Sequence, residues 1–339
     1  MLDLQYPILQ APMAGVSTPE MAAAVSRAGG LGGLAVGHLQ PRAAAAAIEA
    51  TRALTDQAFN VNLFCHAPAR QDEPREQAWL RHLTPSFARF GAEPPAGLEE
   101  LYRSFVDDPA MLEVLLTQRP AVVSFHFGLP SLATIRALKQ AGIVLLASAT
   151  NLDEGRQAEK AGIDVLVAQG YEAGGHRGCF DPEAADLTLS TSVLTRLLVS
   201  RLSLPVVAAG GIMDAAGARA ALELGAVAVQ MGTAYVASPE SSAAPAHRQS
   251  LLHGPGETVM TRAISGRPAR CLRNLFTELP AGPPPPDYPR AYSAGKALHA
   301  AAHQTGESGF GAHWAGQSAP LARAVGAGDL TAELGQQLK

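Results

Sequence analysis

Residues 143–169 read IVLLASATNLDEGRQAEKAGIDVLVAQ, and the spacing of apolar positions changes twice along them. Residues 143–147 form a short continuous apolar run, the pattern of a strand buried on both faces. Residues 151–161 follow as a helical stretch, and Gly162 stands where a left-handed C-terminal cap costs least. Residues 165–169 are a second apolar run. Strand, crossover helix and strand in so short a span predict two parallel neighbours in one sheet.

The same unit extends in both directions. Further apolar runs occur at 7–10, 31–35, 59–62, 121–125, 206–209 and 226–230, with helical stretches at 18–28, 131–141 and 214–224. Gly29, Gly142 and Gly225 end those helices as Gly162 ends the first. Eight runs alternating with helices predict an α/β chain of the (β/α)8 TIM-barrel type with a smaller helical domain inserted or appended. The barrel is assigned to residues 1–66 and 120–240. Residues 67–119 are too long for one crossover helix and carry Pro74, Pro85, Pro94, Pro95 and Pro109, which predicts a helical insertion. Residues 241–339 hold a β-like stretch at 258–264, a Pro-rich spacer at 280–286 and two helical stretches, a C-terminal lid or extension packed on the barrel.

Composition removes several classes of function. The 339 residues carry a formal charge of -4, so no global basic field exists to hold nucleic acid or an anionic membrane. Every apolar run is far shorter than a bilayer span. Cys65, Cys179 and Cys271 form no paired framework, and the opening MLDLQYP shows no basic-then-apolar leader; both point to a cytoplasmic protein. A monomer or a homodimer is expected.

In a barrel of this type chemistry sits at the C-terminal ends of the strands. Those ends are rich in amides and glycine: Gln10, Asn62, Ser124-Phe-His-Phe-Gly128, Gln169-Gly170, Gly210-Gly211 and Gln230-Met-Gly-Thr233. Gly210-Gly211 and Gly232-Thr233, after the last two runs, suit a phosphate held by backbone N–H groups. Neutral amides above a phosphate site suit a flat heterocycle such as a flavin. Other motifs fail on context. Gly30-Leu-Gly-Gly-Leu-Ala35 matches a dinucleotide fingerprint but precedes a strand instead of following one. Lys139, Lys160, Lys296 and Lys339 are all away from strand ends, which leaves no Schiff-base nucleophile. His176 and Cys179 lack the companions of a metal site, and no metal is expected. His126, delivered to the catalytic rim by the fourth run, is the candidate acid–base or hydrogen-bonding residue, with His176 a second candidate. Tyr288, Tyr292 and Lys296, four apart, form one helical stripe able to hold an anion.

Taken in order, the motifs QAPMAGVST (10–18), NLFCH (62–66), SFHFG (124–128), ASATN (147–151), QGYEAGGH (169–176), AAGGI (208–212) and QMGT (230–233) resemble the nitronate monooxygenases, formerly 2-nitropropane dioxygenases, of bacterial class I. The resemblance spans about residues 5–325. It implies tightly but noncovalently bound FMN. The reaction it implies is oxidation of alkyl nitronates such as propionate 3-nitronate by O2, through an anionic flavin semiquinone, to a carbonyl product and nitrite. It further implies that Ala11, Pro12 and Met13 line the flavin, that Asn62 and Gln169 hydrogen-bond its ring edge or ribityl chain, and that Gly174 approaches it closely. Gly211, Gln230, Met231, Gly232 and Thr233 would hold the phosphate. His126 takes the active-site histidine position, and Tyr288, Tyr292 and Lys296 surround the substrate. The alternatives are an FMN-dependent NAD(P)H:quinone or enoyl reductase on the same fold and, more distantly, a non-redox phosphate-binding barrel.

Overall fold

A computed structural model describes residues 4–339. The barrel strands are β1 (Ile8–Gln10), β2 (Gly32–Ala35), β3 (Phe59–Phe64), β4 (Val122–His126), β5 (Val144–Ala149), β6 (Val165–Gln169), β8 (Val206–Ala209) and β9 (Ala228–Met231). They lie parallel in the order β1-β9-β8-β6-β5-β4-β3-β2. A bridge between Leu9 and Leu31 closes the ring, with Leu31 N donating to Ile8 O at 2.9 Å and Gln10 N to Leu31 O at 2.9 Å. The interior is filled by Leu9, Leu31, Val122, Leu146, Val167 and Val207, among others, and is a packed core with no channel.

Around the ring stand α1 (Pro19–Arg27), α2 (Pro41–Leu54), α4 (Pro109–Gln118), α5 (Leu132–Gln140), α6 (Leu152–Ala161), α7 (Thr191–Arg201), α8 (Ala215–Glu223) and α12 (Ala327–Gln337). Short polar side chains start most of them. Thr18, Asp108, Ser131, Asn151, Ser190 and Asp214 each accept a hydrogen bond from the N–H three residues on. The glycine run of β2 is a packing device: a Cβ on Gly32 would overlap the carbonyl of Ala22, so only glycine lets α1 press onto the sheet here.

Two wall helices differ from the sequence assignment. The stretch 109–118 falls inside the assigned insertion, yet α4 packs beside α2 and α5 as the wall helix between β3 and β4. The last helix falls inside the assigned lid, yet α12 packs on α1 and α8 and takes the eighth wall position. Tyr235 Oη and Thr331 Oγ1 lie 2.9 Å apart and join it to α9 (Thr233–Val236). Hydrophobic periodicity cannot reveal this, because both helices bury one face whichever neighbour they have.

The two excursions meet each other. The insertion helix α3 (Glu73–Ala88) and the later helix α11 (Arg290–Gln304) share one core, in which Trp79, Leu83 and Phe87 pack with Phe276, Leu298 and Phe310. Glu76 receives two bonds from Arg290, at 2.6 and 2.9 Å, across this contact. The same unit holds a three-stranded antiparallel sheet, and α10 (Pro245–His253) lies between it and the barrel, with Leu251 packed among Leu272, Val236 and Ala237. In that sheet β10 (Thr258–Thr261) pairs with β11 (Ala269–Leu272), and β11 with β7 (Gly175–His176) from the loop after β6. The small domain is thus tied to the barrel mouth by the Gly-rich loop itself. Among the described residues no helix is long and apolar enough to cross a membrane.

Candidate active site

Between the strand ends and the small domain lies a cavity of about 410 Å³. Its floor comes from the barrel, through Asn62, Ser124, His126, Ser148, Gln169 and Gln230. The roof comes from the small domain, through Tyr288, Tyr292, Lys296 and the segment Gly311–Trp314. Ala11, Pro12, Met13, Gly174, His176, Gly211, Gly232 and Thr233 also line it. Met231 does not. Its side chain is buried with Ile8 and Met21 between sheet and helices, and its carbonyl accepts the Ala11 N–H at 2.8 Å. Alternation along β9 explains this, since Gln230 faces the mouth and its neighbour must face the wall. Gln10 is likewise committed: its Oε1 accepts from Gly33 N at 2.7 Å and its Nε2 donates to Ser17 Oγ at 2.8 Å.

The amides of the floor divide into braced and free. Asn62 Nδ2 donates to Ser124 Oγ at 2.9 Å. Gln169 Nε2 donates to the His176 carbonyl at 2.9 Å and its Oε1 accepts from Gly178 N at 2.7 Å, so this side chain shapes the Gly-rich loop. Arg177, 1% exposed, completes that brace by pairing with Asp186 at 2.8 Å and donating to the Gln169 and Gly170 carbonyls. Gly174 serves the same end: a Cβ there would strike the Ala315–Gly316 backbone, so the glycine permits loop to lie on loop.

His126 Nε2 lies 3.2 Å from the His176 carbonyl and its Nδ1 2.8 Å from Ser148 Oγ. A carbonyl only accepts, so Nε2 carries the proton and Nδ1 accepts from the serine hydroxyl. Burial pulls the His126 imidazole down to about 4, and Arg267 and Arg177 push the same way. His176 is pulled down to about 3 by burial and by Arg267. Both rings are neutral near neutral pH. Desolvation raises Tyr288 and Tyr292 well above an ordinary phenol, and Tyr102 to about 12, so all three hydroxyls keep their protons.

The helical stripe starts later than the spacing suggests, since α11 begins at Arg290 and Tyr288 precedes it. Even so, Tyr288, Tyr292 and Lys296 all reach the cavity. Lys296 Nζ lies 5.0 Å from the Tyr102 ring and 5.3 Å from that of Tyr292. Tyr102, His38, His299 and His313 line the site without having been singled out in the sequence, and none of them stands at a strand end; Ser148, from the motif at 147–151, lines it as well. Among the described residues the lining contains no Asp, Glu or Arg, and Lys296 is its one formal charge.

The sequence profile of the nitronate monooxygenases matches residues 1–337. The chain belongs to the nitronate monooxygenase family. It is 57% identical to a nitronate monooxygenase of Paraburkholderia phytofirmans, over all of this chain and 94% of that one. Its identity to a nitronate monooxygenase of Pseudomonas aeruginosa is 54%, over all of this chain and 98% of that one. A crystal structure of nitroalkane oxidase from Streptomyces ansochromogenes superposes with a TM-score of 0.92 at 38% identity, covering 99% of this chain and 96% of that one. The protein is an oxidoreductase.

Nitronate monooxygenases are flavin-dependent, and the cavity fits such a group. The N–H groups of Gly211, Ile212, Gly232 and Thr233, all in cavity-lining residues after β8 and β9, find no acceptor among the described residues. Gly210 and Gly211 have φ of 125° and 71°, a backbone that turns these amides where a side chain would be strained. Four free amides at one end and the unpaired Gln230 amide on the floor suit a phosphate and a polar heterocycle.

Proposed function

We propose that this protein binds FMN in the cavity and oxidises alkyl nitronates of the propionate 3-nitronate type with O2, giving a carbonyl product and nitrite. The observation that carries the reading is the one-sided charge of the lining: one ammonium, several protonated phenols and neutral imidazoles, and no carboxylate among the described residues. Such a lining favours anions. Gly211, Ile212, Gly232 and Thr233 would hold the phosphate through N–H groups, Gln230 would bond the isoalloxazine edge, and Ala11, Pro12 and Met13 would lie along the ring. FMN, when bound, supplies the electron acceptor that no side chain here can be.

The side chains do the rest. Lys296 at the mouth draws in the anion, and the Tyr288 and Tyr292 hydroxyls donate to its oxygens. A nitronate arrives already deprotonated, so no strong base is needed. A neutral imidazole is the appropriate state for His126, which then orients Ser148 and the His176 loop around the reacting carbon. Phe64, Phe127 and Tyr288 exclude water from that position and strengthen each of these bonds.

The test is direct. Purified protein is expected to be yellow and, on denaturation, to release FMN identified by mass. In an oxygen electrode it is expected to consume O2 with propionate 3-nitronate and to form nitrite. Anaerobic bleaching of the flavin by NADH, with no O2 uptake on nitronate, would instead identify a reductase.

A further inference from the structure

Arg267 lies in the loop between β10 and β11 and is 3% exposed, behind the cavity wall. Its guanidinium carbon sits 4.3 Å from the centre of the Phe127 ring. Phe127 is itself unusual: it is 1% exposed and its φ is 75°, a left-handed backbone that a bulky side chain adopts only when its surroundings impose it. Around that ring are His126 at 4.5 Å, Tyr288 at 5.4 Å and His176 at 5.6 Å, all cavity residues. Arg267 thus backs the centre of the aromatic wall.

Among the described residues the charge of Arg267 has no counter-ion: no carboxylate lies within salt-bridge distance of it. Its Nη2 donates to the Cys179 carbonyl, while its buried Nε finds no acceptor. Arg177, buried to a similar degree close by, has Asp186. A buried, unpaired guanidinium is costly to keep unless a negative charge enters its field. Its influence already reaches the site, because it disfavours protonation of His66, His126 and His176 alike.

We propose that Arg267 is a concealed second cation of this anion site: it seats Phe127 from behind and adds its charge to that of Lys296, so that anions in the cavity are held by two positive charges of which the lining shows one. It is a positioning and field residue, not a catalytic one. The inference rests on the reading of the cavity as an anion site.

Nitrate, planar and unreactive, is the probe, titrated into the flavin-loaded enzyme by calorimetry. Arg267→Gln removes the charge and keeps a donor for the Cys179 carbonyl; Arg267→Lys keeps the charge; Lys296→Met is the control. Nitrate affinity is expected to fall about tenfold in Arg267→Gln and less than about threefold in Arg267→Lys. The His126 ring, followed by NMR, is expected to titrate higher in Arg267→Gln alone. Wild-type nitrate affinity in folded Arg267→Gln, with affinity lost in Lys296→Met, overturns the role of Arg267 and leaves the anion site standing. Unchanged affinity in both overturns the anion site as well. Should Arg267→Gln fail to fold, Arg267→Lys decides: a tenfold loss with the charge retained refutes the field, and near-native affinity supports it.

Discussion

His126 enters the cavity with neither ring nitrogen free. Its Nε2–H is held by the His176 carbonyl and its Nδ1 by the Ser148 hydroxyl. A residue so fixed contributes orientation and a fixed dipole more than proton traffic. Replacing His126 by Asn, which cannot span both partners, is expected to lower kcat about 100-fold while the flavin stays bound, because the phosphate amides lie after other strands. Steady-state kinetics with a visible spectrum checks it; wild-type kcat in a yellow variant would remove His126 from the reaction. The position of this residue was legible because a strand carries it to the rim. Arg267 was not: it stands in an irregular loop, distant in sequence from every residue it influences, and no periodicity marks it.

Elements show the same division. Parallel strands buried on both faces read as continuous apolar runs, so all eight barrel strands were visible. β7 is two residues long and pairs with β11 across most of the small domain, a non-local contact that leaves no local pattern. The shared core of α3 and α11 was hidden for the same reason, and with it the fact that two excursions build one roof. The Gly30–Ala35 stretch, set aside as a nucleotide motif, gains a physical meaning here as the close seat of α1 on β2. Gly32→Ala is expected to destabilise the fold by about 1–3 kcal/mol, since its new Cβ meets the Ala22 backbone and neither element can yield alone. Urea denaturation measures it, and an unchanged midpoint would show that α1 rides more loosely than this packing implies.

Across the whole molecule, loss of solvation keeps the buried histidines neutral and sets a limit on acid tolerance. Burial holds His66, His126 and His313 at about 4, and His176 and His247 at about 3. In the unfolded chain each returns to about 6.5. Between those values the unfolded state binds more protons than the folded one, so stability is complete above about pH 6.5 and declines as pH falls toward 4. The carboxylates of Asp186 and Asp287, held low chiefly by hydrogen bonds from Arg177 and Arg70 against the opposing effect of burial, add their own loss only further into acid. The melting temperature is therefore expected to be level between pH 7 and 8 and to fall by roughly 5 °C or more by pH 5, before carboxylates titrate. Because four of these rings line the cavity and two of them join barrel to roof, early acid unfolding is expected to release the flavin. Melting curves read in parallel by circular dichroism and flavin fluorescence separate the outcomes: coincident transitions moving together below pH 6.5 fit this account, and a melting temperature independent of pH down to 5 contradicts it.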